Sequence, residues 1–292
     1  MPESSFNRVP IAKSKDGSAE ASILLADTHV HIYGVFDVDT MFDAAASNLA
    51  AAAVRMGLGG MPRQLMLLLT ETARDDAFAK LKSGELRPSR WRMEATVEPA
   101  VLRAVRDGGT AIWLVAGRQI ATREDLEVLA LGTTEKFPDG KPIGESIEAS
   151  DRLAAMTALP WGFGKWWGSR GRRIGELMRT ARSKPLFLGD NGGRLALSRR
   201  PALLGEGERL GHRVLPGTDP LPFPGQEKKV GSFGIVLTDW DAGDRPLQRF
   251  VERLAQERSS PQKFGSLTGV VAFVKLQVGM QLRKRARLGA SG

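Results

Sequence analysis

The hydrophobic pattern is clearest near the start of the chain, where a short apolar run leads into the sequence DTHVH at residues 27–31. The run has the length of a buried strand, and alternate residues of a strand point to the same face. We therefore expect Asp27, His29 and His31 to project together. Two imidazoles and a carboxylate at the carboxyl end of a buried strand can begin a divalent-metal site. The alternative interpretation is an edge strand that carries two ordinary histidines.

Strands and helices alternate through most of the remaining chain. Apolar positions at helical spacing, good helix formers and capping residues indicate the helices. Between Trp91 and Ala130 the pattern instead favours short strands with tight turns, including a hairpin turn at residues 107–109. The predicted strands are 64–69, 90–96, 101–105, 110–115, 126–131, 185–189, 213–215 and 234–238, and the predicted helices are 40–55, 75–81, 171–182, 201–210, 246–257 and 268–283, with the end of a further helix at 150–158.

This alternation favours an α/β fold in which a mainly parallel sheet closes, or nearly closes, with helices outside. We expect a polar arm at residues 1–20, a barrel domain at 21–262 with a hairpin-rich insertion in the middle, and a C-terminal helix and basic tail at 263–292. In such barrels the functional site lies at the carboxyl ends of the strands. The polar residues that fall at these ends are His29, His31, Glu71, Asp190, Asn191 and Asp219.

The amino-acid composition limits the kinds of site and partner that the chain can have. The 292 residues are 42% hydrophobic and 26% charged, so a sizeable core can form. The chain has no cysteine, which excludes disulfides, thiolate ligands and a cysteine nucleophile. The formal net charge of +9 favours anionic partners such as phosphorylated substrates or nucleic acid, and the alternative is a solvated basic surface. Charged residues interrupt the most apolar stretches and the first residues lack a signal-peptide pattern, so we expect a cytoplasmic protein without a membrane span.

Taken in order, the strand ends resemble the motifs of the polymerase and histidinol phosphatase (PHP) family of metal-dependent phosphoesterases. The sequence DTHVH at 27–31 resembles the family's Asp-x-His-x-His motif, and LPGTDPL at 215–221 resembles its late Gly-Ser-Asp-Ala-His. Residues 69–72, 117–122 and 159–160 stand where the family has Thr-Asp-His, Gly-x-Glu and His-Pro. The resemblance covers most of the chain and implies a distorted, TIM-like (β/α)7 barrel that binds metal ions.

Four positions depart from the family pattern, and each replaces a residue that is ordinarily a metal ligand. Glutamine offers one carbonyl oxygen and leucine offers no ligand atom. The resemblance therefore implies one divalent ion (zinc, manganese or iron) in place of a trinuclear site. The substituted positions are Thr72, Gln119, Leu159 and Leu221. The implied metal ligands are His29, His31 and Asp219, and the carboxylates expected to assist catalysis are Asp27, Glu71 and Asp190.

A loop rich in tryptophan occupies residues 160–170 and should overlook the strand ends. The ammonium group of Lys165 could contact a phosphate oxygen there, in a catalytic role that replaces missing metal charge, while the tryptophans wall the pocket or stack on a base. The alternative is that the tryptophans only cover the barrel. We assign His212, the third histidine, to structure. The residues expected to contact substrate are Arg118, Gln119, Trp161, Lys165, Trp166 and Asn191.

Three functions remain open from the sequence. The first is hydrolysis of a phosphate ester by a water molecule that a metal ion activates. The second is a PHP-like domain without catalysis that binds a phosphorylated ligand or a partner protein. The third is nucleic-acid binding, which rests on charge alone and predicts an affinity that falls steeply with salt.

Overall fold

The structure, a computed structural model, describes residues 22–270 together with residues 273, 274 and 276. The predicted polar arm at residues 1–20 lies outside the described residues, as do most of the predicted C-terminal helix and the basic tail. Within the described part of the chain, every helix is too short or too polar to pass through a bilayer.

The secondary structure begins with the predicted apolar strand. The strands are β1 (Ile23–Val30), β2 (Arg63–Leu69), β3 (Trp91–Ala95), β4 (Val101–Arg106), β5 (Ala111–Val115), β6 (Gly117–Ala121), β7 (Glu127–Leu131), β8 (Met156–Pro160), β9 (Leu186–Asn191), β10 (Val214–Gly217), β11 (Phe233–Leu237) and β12 (Gln262–Gly265). The helices are α1 (Val38–Arg55), α2 (Ala77–Ser83), α3 (Ile143–Leu153), α4 (Gly168–Arg179), α5 (Ala202–Arg209) and α6 (Pro246–Gln256), with a 3₁₀ helix at Gln226–Lys229. The main difference from the predicted elements is β8, which lies where the sequence predicts the end of a helix.

The strand β1 lies inside a seven-stranded mixed sheet with the order β12-β11-β1-β2-β5-β4-β3. It runs parallel to β2 and antiparallel to β11. All eight residues of β1 are buried, as expected for an apolar strand with neighbours on both sides and covered faces. The two histidines at its end are therefore held on a rigid, central element.

The remaining strands form a five-stranded mixed sheet with the order β10-β9-β8-β7-β6. Strands β8, β9 and β10 are parallel, whereas β6, β7 and β8 are antiparallel. Pro216 pairs with Asp190 and Gly217 pairs with Asn191, so β9 and β10 end side by side. The loops that follow these two strands consequently start at the same edge.

The predicted TIM-like (β/α)7 barrel is wrong, because the hydrogen-bonded strands of the described residues form two separate sheets and no closed barrel. The predicted hairpin insertion is the physical cause. Its strand β5 pairs with β2 over residues 65–68 and takes the edge through which a barrel would continue. Beyond the end of β2, Glu71 forms an isolated bridge with Arg118 of β6 instead of a ladder. Strands β3, β4 and β5 pair with one another in antiparallel fashion through short connections, which form more readily than the long crossovers that closure requires.

Three hydrophobic clusters hold the layers together. The first lies between α1 and the seven-stranded sheet and includes Phe42 and Leu49. The second lies between the two sheets and includes Leu24 from β1 and Phe187 from β9. The third lies between the five-stranded sheet and helices α3, α4 and α5. A fully buried leucine stabilises such a core by about 1.5–3 kcal/mol, so these layers fix the strand ends firmly.

Candidate functional site

A bulge in β1 decides which way the two histidines point. The register with β2 shifts between Asp27 and Val30. Leu25 before the shift and Val30 after it pack in the same cluster beside α1, so the alternation of side chains reverses at the bulge. His29 and His31 therefore face away from α1, toward residues of the second sheet and its loops. Asp27 does not share their face, contrary to the strict alternation that we expected.

Three side-chain atoms converge at this point, and we call His29, His31 and Asp219 the triad. The Nε2 atoms of His29 and His31 are 3.2 Å apart. Oδ1 of Asp219 lies 3.5 Å from the first and 3.4 Å from the second. A tetrahedral ion with bonds of about 2.0–2.1 Å separates its ligand atoms by about 3.3–3.4 Å. The triad thus has the donor types and the spacing of a site for one divalent ion.

The loop after β10 brings Asp219 to the histidines. Asp219 has a φ of 48°, a left-handed conformation that residues other than glycine rarely adopt. Its backbone N–H donates to the carbonyl oxygen of His29 at 2.8 Å, and the side-chain amide of Asn191 donates to its carboxylate. A Cβ atom at Gly217 would lie 2.4 Å from the backbone nitrogen of His29, so only glycine permits this approach of β10 to β1.

Asp27 holds the same loop without reaching the triad. Its carboxylate accepts hydrogen bonds from the backbone N–H groups of Thr218 at 2.9 Å, Gly231 at 2.8 Å and His29 at 3.3 Å, and from the Thr218 hydroxyl. Burial raises the pKa of Asp27 to about 6, while the hydrogen bonds oppose that rise. The side-chain oxygens of Asp27 accept all four hydrogen bonds. Its position fits a positioning role and not direct catalysis.

The charge states of the triad suit metal binding. Burial lowers the pKa of His29, and the attraction of Asp219 does not offset that effect. Burial raises the pKa of Asp219, but the two histidines and Lys165 lower it by more, so its pKa lies well below the ordinary value. A neutral imidazole and an ionised carboxylate are the forms that ligate a metal ion.

A chain of polar contacts leads from the triad to the tryptophan-rich loop. Oε1 of Gln119 lies 3.2 Å from Nε2 of His29, and Nε2 of Gln119 donates to Glu127 at 3.0 Å. Glu127 also forms an ion pair with Lys165. Because Glu127 can only accept when ionised, it fixes the amide of Gln119 with the carbonyl oxygen toward the triad. Gln119 is thus placed to act as a further neutral ligand or to bind a water molecule.

The triad opens into a cavity of about 1420 Å³ between the loops at the strand ends. Trp161, Lys165 and Asn191 line this cavity, as the sequence analysis expected of substrate-contacting residues. Phe163 also lines it and meets the exposed Trp167 edge to face, with 5.2 Å between ring centroids. The loop therefore brings aromatic and cationic groups to one side of the cavity.

Trp166 lies elsewhere. It is 5% exposed and packs in the cluster between the five-stranded sheet and its helices. It does not line the cavity, contrary to the predicted contact with substrate, and its neighbour Trp167 is 61% exposed.

Three further predicted site residues are buried in ion pairs and do not line the cavity. Glu71 contacts Arg118 at 3.0 Å, and Asp190 contacts Arg194 through two bonds of 3.1 Å. Arg118 also contacts Asp76 at 3.2 Å. Burial raises the pKa of Glu71. These contacts favour a structural role for Glu71, Arg118 and Asp190, which belong neither to the triad nor to the cavity lining.

The four positions that depart from the PHP motifs lie in different environments. Leu159 is fully buried in the core, and the Thr72 hydroxyl donates to Asp75. Leu221 lines the cavity with an apolar side chain. Among the four, Gln119 brings an oxygen atom to the triad.

Glu127 and Lys229 are among the cavity residues that were not assigned to the site from the sequence. Glu127 is diagonal to Gln119 across the antiparallel β6–β7 ladder, so the hairpin register was the signal that could have found it. Lys229 lines the cavity from the end of the 3₁₀ helix, and its sequence neighbourhood carries no motif.

These features define a sheet-rich α/β protein with a His-His-Asp triad, its two histidines buried, beside a large cavity. No family model matches the chain, and no curated protein matches it. The chain is similar to the crystal structure of PsfC from Pseudomonas syringae PB-5123, with a TM-score of 0.54 and 14% identity over 92% of this chain and 99% of that one. At this identity the similarity concerns the fold alone. The comparisons therefore lend no support to the PHP resemblance, which rests on the motifs.

Proposed function

We propose that the protein is a metal-dependent hydrolase that uses one divalent ion and acts on a phosphorylated small molecule. The observation that carries the proposal is the triangle of Nε2 of His29, Nε2 of His31 and Oδ1 of Asp219. Its edges of 3.2, 3.5 and 3.4 Å match the spacing of ligands around a tetrahedral ion. Zinc, manganese and iron all accept two imidazoles and a carboxylate.

The surrounding residues support hydrolysis in distinct ways. A divalent ion held by the triad would supply a bound water molecule of lowered pKa as the nucleophile. Asn191 orients the carboxylate of Asp219, and Gln119 presents its carbonyl oxygen beside His29. Lys165 faces the same cavity, where its ammonium group could exchange Glu127 for a phosphate oxygen. The chain itself thus provides ligand orientation, a water acceptor and positive charge.

Hydrolysis of p-nitrophenyl phosphate and bis-p-nitrophenyl phosphate tests this proposal directly. The protein is loaded in turn with zinc, manganese and iron(II), beside the variants His31→Ala and Asp219→Asn. We expect turnover of at least one ester that both variants lose, while His212→Ala, which alters a histidine outside the triad, retains it. Equal turnover in all four proteins would contradict the proposal.

A second candidate is a domain that binds a phosphorylated ligand or a partner protein without catalysis. The observation that favours it is that the carboxylates expected to assist catalysis are engaged elsewhere. Asp27 holds a loop, and Glu71 and Asp190 belong to buried ion pairs. Under this candidate the metal-loaded protein binds inorganic phosphate and turns over neither ester.

A further inference from the structure

The basic side chains around the cavity differ in whether a carboxylate neutralises them. Lys165 is paired with Glu127, and Arg170 is paired with Asp125 at 2.8 Å. Lys229 lines the same cavity and is partly buried, yet no carboxylate of the described residues lies within salt-bridge distance of its ammonium group. Lys229 thus brings to the cavity lining a cation that no carboxylate of the described residues neutralises.

Partial burial of a charge without a counter-ion is unfavourable. Loss of hydration accordingly lowers the pKa of Lys229. Arg74 also lines the cavity without an ion pair among the described residues, but it is exposed and keeps its hydration. Lys229 is thus the cavity cation that would gain most from an anionic ligand.

Backbone contacts fix Lys229 relative to the triad. It is the last residue of the 3₁₀ helix, and its carbonyl oxygen accepts from the N–H of Ser232 at 2.9 Å. Two residues further on, the N–H of Gly231 donates to Asp27, which also accepts from the N–H of Thr218, so one carboxylate links the two loops. Thr218 directly precedes Asp219, the carboxylate of the triad. The lysine and the triad carboxylate are therefore carried by two loops that are linked through Asp27.

We propose that Lys229 binds an anionic group of the ligand, a phosphate or a carboxylate, inside the cavity above the triad. This proposal rests on the proposed function for the role of the triad. It adds that the ligand carries an oxyanion group, which Lys229 binds. Lys165 is less suited to this task because Glu127 neutralises it. Arg118, which the sequence analysis assigned to substrate binding, is buried in its ion pair with Glu71.

The matched variants are Lys229→Met and Lys228→Met, which remove the same charge from adjacent residues of one 3₁₀ helix. Lys228 is exposed and does not line the cavity. Calorimetric titration of inorganic phosphate and of succinate into metal-free protein, at fixed ionic strength, measures the affinity for each anion. Loss of a charged hydrogen bond predicts that Lys229→Met weakens binding about tenfold or more, whereas Lys228→Met leaves it unchanged. Lys229→Arg, which keeps the charge, should stay close to wild type.

Each outcome decides the matter. A Lys229-dependent loss for phosphate alone identifies a phosphate group, and a loss for succinate alone identifies a carboxylate. Equal losses in Lys229→Met and Lys228→Met would show general attraction to a basic surface and overturn the proposal. Unchanged binding in Lys229→Met, or no binding of either anion to wild type, would overturn it as well.

The experiments distinguish failure of the proposed metal site from failure of the proposed anion site. A wild-type protein that takes up no metal ion but shows Lys229-dependent anion binding would contradict the proposed hydrolase function. It would still support the anion site at Lys229. Thermal melting followed by circular dichroism checks the fold of each variant. We expect Lys229→Met to melt no lower than wild type, because it removes an uncompensated charge, and Lys229→Gln replaces it in the titration if Lys229→Met does not fold.

Discussion

Two kinds of buried polar cluster occupy the strand ends of this protein. In the pairs Glu71–Arg118 and Asp190–Arg194, each carboxylate faces a guanidinium and the cluster is complete in itself. In the triad, three atoms that bind cations face one another at 3.2 to 3.5 Å, so the cluster needs a cation or a shared proton. Burial and position at a strand end are common to both kinds. What distinguishes the triad is that its three potential ligand atoms face one another without a guanidinium partner among the described residues.

The largest effect should come from breaking a complete cluster. Arg194 is 3% exposed and its variant Arg194→Met would leave Asp190 buried without its partner. We expect the free energy of unfolding to fall by about 3–5 kcal/mol, measured by urea denaturation. The metal content of the folded protein should not change, since Arg194 does not contact the triad. A smaller loss in the double variant Asp190→Asn/Arg194→Met would confirm that the unpaired carboxylate is the cause.

An intermediate effect should come from Asp27, which holds the loop that carries Asp219. Asp27→Asn keeps the shape of the side chain but replaces one acceptor oxygen by an amide donor, opposite the N–H groups of Thr218 and Gly231. We expect a loss of about 1–3 kcal/mol in the free energy of unfolding. Metal affinity, measured by competition with a chromophoric chelator, should fall by about 10- to 100-fold, as for other residues that orient ligands. Unchanged metal affinity would refute the positioning role.

His212 offers a smaller, purely structural contrast with the triad histidines. Its Nδ1 lies 2.9 Å from the carbonyl oxygen of Leu186, and its Nε2 lies 2.7 Å from that of Met178. Both ring nitrogens therefore have protein partners that join β9 to α4. We expect His212→Ala to lower the free energy of unfolding by about 1 kcal/mol and to leave the metal content at the wild-type value. Loss of metal from this variant would show that the triad alone does not account for binding.

The smallest effect concerns pH. Burial lowers the pKa of His29 in the folded protein, so the unfolded chain takes up a proton at His29 before the folded one does. This contribution to stability is present above about pH 6.5, the ordinary pKa of histidine, and is lost as the pH falls toward the lower folded value. Urea denaturation of the metal-free protein across this range should therefore show a steeper loss in wild type than in His29→Gln. Identical pH dependence would contradict the assignment, since Asp27 titrates in both proteins.

The local elements were predictable because their signals lie within a few residues. The apolar runs gave β1 and β2, the glycines at 108 and 109 gave a hairpin turn, and helical spacing gave α6. The pairing of β5 with β2 was not predictable, because it depends on competition between distant strand edges. Strand β8 contains residues that also favour helices, and its two strand neighbours decide its conformation.

The residues of the site, like the elements of the fold, were predictable only in part. Spacing within a strand singled out His29 and His31, and the resemblance singled out Asp219. The bulge that turns Asp27 away has no sequence signature as simple as alternation. The ion pairs of Glu71 and Asp190 were invisible because the partner of a carboxylate is set by the fold. Glu127 could have been found from the register of the β6–β7 hairpin, whereas Lys229 could be recognised only after the cavity was known.

The most direct test of the central claim is the metal content of protein made without a histidine tag and purified without chelator. Inductively coupled plasma mass spectrometry measures the number of metal ions per chain in wild type, in the double variant His29→Ala/His31→Ala and in His212→Ala. The triad predicts about one divalent ion per chain in wild type and in His212→Ala, and none in the double variant. A folded wild-type protein that holds no ion after exposure to zinc, manganese and iron, or a double variant that keeps its ion, would contradict it.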